Sequence, residues 1–139
     1  MKCIYCGFGS TSIVNSRRTR GGTQTWRRHK CGDCEQVFSS YEKPELSTIT
    51  IMPSRGSERP YKRFILTRSI LEAFEGKQDY STDLDALIDT IEIKLISLGQ
   101  SEMPSKQVAV VASECIKPVS ARAYMRYVAN HADSLPDMV

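Results

Sequence analysis

Two Cys-x-x-Cys pairs, Cys3 with Cys6 and Cys31 with Cys34, constrain the first third of this 139-residue chain more than any other feature. Two intervening residues let both sulfurs of a pair face one ion, and two such knuckles complete a tetrahedral shell of four thiolates. The 24 residues between the pairs are close to the usual two-knuckle spacing, though slightly longer than the commonest intervals. Gly7 follows the first pair and Gly32 lies within the second, as tight turns require. Zinc is the natural occupant of such a shell, and iron could use the same four sulfurs. With four protein ligands no position stays open for water or substrate, so the expected role is structural.

The competing chemistry is a thiol oxidoreductase using one pair. Two matched pairs in a core-poor segment favour metal instead, and nothing nearby resembles a thioredoxin-type βαβ unit. Cys115, the fifth cysteine, sits in an apolar stretch and reads as an inert core thiol. Paired spacing of this kind belongs to a reducing compartment rather than to a disulfide framework. No run of eighteen apolar residues and no apolar signal core appear, so the expectation is a cytoplasmic protein with no membrane partner.

Residues 1 to 45 form the expected first unit, a ribbon with β-prone runs at Ser12 to Val14 and Gln36 to Phe38. So short a unit rarely folds on apolar burial alone, and a metal supplies the missing stability. Residues 46 to 139 read as a mainly helical second unit. A strand is expected over residues 47–52 and a turn over Pro53 to Pro60. Phe64, Ile65, Ile70, Leu71 and Phe74 suggest a first helix ending near Gly76. Ser81 or Thr82 would cap a second, with Leu84, Leu87, Ile88, Ile91, Leu95 and Leu98 as its stripe and Gly99 as its stop. A third would begin near Pro104 and run through Val108, Val111 and Ala112 to Pro118; a fourth would span Ser120 to about His131. The fold class is therefore α+β.

Charge separates the units. The first 45 residues carry eight Lys or Arg against four Asp or Glu, the remainder eleven against twelve. Between Asn15 and Lys30 lie Arg17, Arg18, Arg20, Arg27, Arg28 and Lys30 with no acid among them, and Trp26 interrupts the second cluster. A solvated face is the common explanation of a charge run. Sixteen residues without a compensating acid point instead to a polyanion, with guanidinium groups on phosphates and an indole able to stack. His29 reads as a phosphate contact or an exposed side chain, His131 as a surface or packing histidine. Asp83, Asp85, Asp89 and Glu92 read as a solvated face of the second helix. No nucleophile with a base, no Walker-type loop and no open metal site can be argued, so an enzyme is not expected.

The segments Asn15-Ser16-Arg17, Trp26-Arg27-Arg28-His29-Lys30-Cys31 and Val37-Phe38-Ser39-Ser40-Tyr41-Glu42 resemble the zinc ribbon of the NrdR repressors of ribonucleotide reductase operons. That family usually has Asp-Ser-Arg, an unbroken arginine run, and Arg-Phe-Thr-Thr-Tyr-Glu. The likeness continues through Pro60-Tyr61, Ser97-Leu98-Gly99, Pro104-Ser105 and Ala123-Tyr124-Met125-Arg126-Tyr127, in the order of an ATP-cone domain. The resemblance implies a repressor that binds a double-stranded operator through its ribbon and senses ATP or dATP in the cone by changing its homo-oligomeric state.

ATP-cones usually carry a Val-x-Lys-Arg-Asp-Gly-like segment, where this chain has Met52-Pro53-Ser54-Arg55-Gly56 and keeps only the glycine. A family lysine falls at Ile65 and a tyrosine at His131. Arg55, Arg59, Lys62 and Arg63 are the candidates to meet phosphates in their stead, with Gly56 and Tyr124 completing the nucleotide set. The alternative keeps the architecture but makes the cone degenerate, an oligomerisation domain blind to nucleotide.

Overall fold

A computed structural model describes residues 1–74 and 83–133. The chain divides into two compact units, Met1–Glu45 and Leu46–Val139.

The first unit is an antiparallel meander of β1 (Thr11–Thr19), β2 (Gln24–Cys31) and β3 (Val37–Glu42), with β2 in the centre. Arg20, Gly21 and Gly22 turn the chain between β1 and β2 with φ of 53°, 65° and 89°, a left-handed run that the two glycines accept without steric cost and Arg20 does not. Register slips between Ile13 and Asn15, which makes Val14 the extra residue of a bulge. The core contains only Cys3, Cys31 and Phe38, with Cys34 packed against them. Strand β2 is too polar to show an alternating strand pattern of its own.

In the second unit β4 (Thr50–Met52) lies between β5 (Arg59–Pro60), antiparallel to it, and β6 (Glu102–Pro104), parallel to it. Four helices follow the expected order: α1 (Arg63–Phe74), α2 (Leu84–Ser97), α3 (Ser105–Ile116) and α4 (Ala121–Asn130). Ile70, Ile88, Ile91, Leu95, Met103, Ile116 and Tyr127 are fully buried. The architecture is α+β, with a larger β part than expected.

Several local expectations need correction. Residues 46–48 form a 3₁₀ turn, so the strand is only three residues long. The far end of the expected turn is β5, where Pro60 is tolerated because the strand is an edge. Pro104 ends β6 and precedes α3 instead of opening its first turn. Along α1 the buried face is Leu66, Ile70 and Ala73, whereas Phe64 and Leu71 are exposed. The α2 cap is Asp83, whose carboxylate accepts from the Ala86 N–H at 3.0 Å; Gly76, Ser81 and Thr82 lie outside the described residues. Gly99, at φ 64°, stops α2 as its sequence position suggests. No helix among the described residues is long and apolar enough to cross a membrane.

Candidate metal centre and nucleic-acid interface

The four sulfurs of Cys3, Cys6, Cys31 and Cys34 all lie within 4.8 Å of one another. Cys3 and Cys34 approach to 3.7 Å, Cys6 and Cys31 to 3.6 Å. A tetrahedron with Zn–S bonds of ~2.3 Å has edges of ~3.8 Å, so these two edges and the clustering of all four sulfurs suit that ion. The two knuckles repeat one another. The Tyr5 N–H points at Cys3 Sγ and the Asp33 N–H at Cys31 Sγ, both at 3.4 Å. Gly7 adopts φ 74° four residues after Cys3, and Glu35 adopts φ 58° four residues after Cys31. The second knuckle therefore holds a non-glycine residue where the first has glycine, and Gly32 occupies a different position of the turn.

Without a cation the cage resists ionisation unevenly. The Cys3 thiol is lowered to about 6, first by the Cys6 backbone N–H, against the effect of burial. Cys34 is pushed up to about 12: the Gln36 backbone N–H opposes the rise, and burial with three neighbouring sulfurs outweighs it. A bound divalent ion supplies the charge that lets all four act as thiolates.

Register divides the basic residues of the hairpin between two faces of the sheet. Directly paired residues on antiparallel strands share a face. One face holds three rows, Arg17, Trp26 and Tyr41; Asn15, Arg28 and Ser39; and Ser12, Lys30 and Val37. None of these nine residues is acidic. The Arg17 guanidinium lies 5.3 Å from the Trp26 ring centre, a cation–π contact across the strands. The opposite face holds Arg18 with Thr25 and Glu42, then Ser16 with Arg27 and Ser40. There Arg27 pairs with Glu42 at 3.1 Å.

Arg17, Arg28 and Lys30 thus come together, and Arg18 and Arg27 do not join them. Arg20 stands at the hairpin tip. His29 is not an exposed phosphate contact. It is buried, stacked on Phe38 with ring centres 5.1 Å apart, and its ring nitrogens face Ser40 Oγ at 2.7 Å and Thr11 Oγ1 at 3.4 Å. Tyr41, absent from the residues singled out in the sequence, enters this surface because β3 pairs it with Trp26.

Residues 1–42 match the family described as "Transcriptional repressor NrdR-like, N-terminal domain". The similarity extends well beyond the ribbon. The transcriptional repressor NrdR of Phenylobacterium zucineum is 32% identical across 96% of this chain and 86% of its own length. Those of Petrotoga mobilis and Cupriavidus metallidurans are 35% and 34% identical, each across 91% of this chain and 85% and 82% of theirs. This chain belongs to the NrdR family. As a member of the NrdR transcriptional repressors it carries a zinc ribbon, and its relatives are named as repressors rather than as enzymes.

The second unit of this NrdR-family chain contains a cleft walled by Ile51, Ile65, Leu66, Val108 and Ala109, by the rings of Tyr61, Tyr127 and His131, and by Arg59, Lys62, Ser69 and Ser105. His131 stacks on Tyr127 at 4.1 Å between ring centres. A neighbouring cleft is lined by Pro53, Ser54, Arg55, Ser105 and Asp133. Of the expected nucleotide residues, Arg59 and Lys62 line the first cleft and Arg55 the second. Gly56 forms the turn beside them with φ 97° and lines neither. Arg63 is drawn away by Asp89, at 2.9 Å, and by Glu92. Tyr124 packs against the core beneath the Lys117 ammonium, 5.5 Å from its ring centre. Tyr61, Tyr127 and His131 are the aromatic groups of the cleft; Tyr61 and Tyr127 stand in the segments that resemble the cone, but neither was among the expected nucleotide residues.

Proposed function

We propose that this chain is a zinc-dependent transcriptional regulator that grips double-stranded DNA with its ribbon and represses ribonucleotide reductase genes. Cys3, Cys6, Cys31 and Cys34 hold one zinc ion per chain, which stabilises the hairpin and takes no part in chemistry. The observation that carries this reading is the acid-free row system of Arg17, Arg28 and Lys30 on one sheet face. Cations so arranged replace condensed counterions along a phosphate backbone, and their release drives binding. Residues 1–45 are the DNA-binding domain and residues 46–139 the regulatory and oligomerisation domain, acting in the cytoplasm as a homo-oligomer.

The cleft of the second unit suits an adenine nucleotide as effector, ATP or dATP. Apolar walls and three rings accept a base, while Arg59 and Lys62 supply charge for phosphates. A specific observation favours a second reading, a cone that assembles but ignores nucleotide. Ile65 lines the cleft where the family has lysine, and Arg63 is held by Asp89 and Glu92.

Gel retardation of DNA upstream of ribonucleotide reductase genes, with the zinc-loaded chain and with ATP or dATP added, tests both. Retention of that DNA over unrelated duplex supports the regulator. A nucleotide-dependent change in retention and in particle mass supports the sensing cone, and its absence, with no heat of binding on titration, supports the degenerate one. No retention under any condition overturns the proposal.

A further inference from the structure

The ribbon face bearing Arg17, Arg28 and Lys30 also carries two aromatic rings, and their placement suggests different tasks for charge and ring. Trp26 and Tyr41 are direct cross-strand partners, and Arg17 completes their row from the other side. Tyr41 is 64% exposed, so folding alone gains little from its ring. Trp26 is half-buried, with its indole held by the Arg17 guanidinium. Arg28 and Lys30, two residues apart on β2, stand about 7 Å apart and present two cations along one line of the face.

We propose that duplex DNA is bound on this face alone, that Arg17, Arg28 and Lys30 hold phosphates, and that the Trp26 and Tyr41 rings contact the bases and set sequence preference. Phosphate contacts position a protein without reading sequence, whereas groups that reach the bases discriminate. Aromatic side chains can do so from a groove, by packing against base edges or by wedging between base steps. The opposite face is unsuited to this role: Glu42 neutralises Arg27, His29 is buried against Phe38, and Phe38 packs with Cys3 and Cys31. Tyr41 is thus a specificity-determining residue. The inference rests on DNA being the ribbon's partner, and the test separates the two.

Trp26 is the only tryptophan of the chain, so its emission reports on this face directly. The probes are fluorescein-labelled duplexes selected from a randomised pool with the zinc-loaded full chain, and an unrelated duplex of equal length. Anisotropy of the label measures binding independently of the tryptophan. Quenching or shift of Trp26 emission saturating at the same duplex concentration as the anisotropy is expected. Saturating anisotropy with unchanged Trp26 emission overturns the face assignment while leaving DNA binding intact. Absence of binding to every duplex overturns both.

For Tyr41→Ala, with zinc content retained, preference for selected over unrelated duplex is expected to fall by about tenfold, with unchanged salt dependence. Tyr41→Phe, which keeps the ring, is expected to retain most of that preference. Unchanged preference in Tyr41→Ala, equal loss on both duplexes, or tighter binding to single-stranded DNA than to duplex contradicts the role given to the rings.

Discussion

The Tyr61 hydroxyl donates a 2.9 Å hydrogen bond to Glu92 Oε1, joining the wall of the cleft to a buried carboxylate of α2. The other oxygen of Glu92 is paired with Arg63, which also meets Asp89 at 2.9 Å. Glu92 is only 6% exposed. Burying a carboxylate costs several kcal/mol unless partners replace its water, and here arginine and tyrosine do so.

Removing one partner should therefore be worse than removing both. Arg63→Met leaves the Glu92 charge uncompensated and is expected to destabilise the second unit by about 3 kcal/mol. The double change Arg63→Met with Glu92→Leu should recover much of that loss. Urea unfolding followed by the helical circular dichroism checks this, and a double variant no more stable than the single one would sink the explanation.

Alkali should weaken the same unit. Burial, then the neighbouring Glu92, pushes the Tyr61 hydroxyl well above the ordinary tyrosine value of 10.0, and burial pushes Tyr127 up to about 12. A folded-state value above the unfolded one contributes stability that is complete below the unfolded value and lost as pH rises beyond it. Thermal melts are expected to hold steady up to about pH 9 and to fall steeply towards about pH 12. Tyr61→Phe should flatten part of that fall.

Chelation should dismantle the ribbon and spare the helices. The ribbon core is Cys3, Cys31 and Phe38, too small to offset chain entropy without the ion. The α-helices of the described residues all belong to the second unit, and the only tryptophan to the first. A strong chelator is expected to shift Trp26 emission while helical ellipticity persists. Simultaneous loss of both signals would contradict this.

Glu35 carries strain that its counterpart Gly7 avoids. At φ 58° a side chain meets the following carbonyl, so Glu35→Gly is expected to stabilise the zinc-loaded ribbon by about 0.5–1 kcal/mol. Competition with a metal indicator should show tighter zinc retention; weaker retention would argue against the strain.

What was legible in the sequence follows the range of the interaction that decides it. The knuckles are local, and spacing alone predicts a cage that the four sulfurs form. The α2 stripe and Gly99 are local too. Division of the arginines between two faces depends on strand register and the bulge at Val14, which no short window encodes. His29 and Glu92 look like surface residues until Ser40, Phe38, Tyr61 and Arg63, distant in sequence, enclose them. Strands β5 and β6 are too short to show an alternation of their own.

The claim that cations on one ribbon face hold DNA can be checked through salt dependence. For the zinc-loaded chain on duplex DNA, the logarithm of the binding constant should fall linearly with the logarithm of salt. Arg28→Ala and Lys30→Ala should each reduce the steepness by about 0.9 per ribbon. Slopes equal to that of the unaltered chain in both variants would contradict the claim.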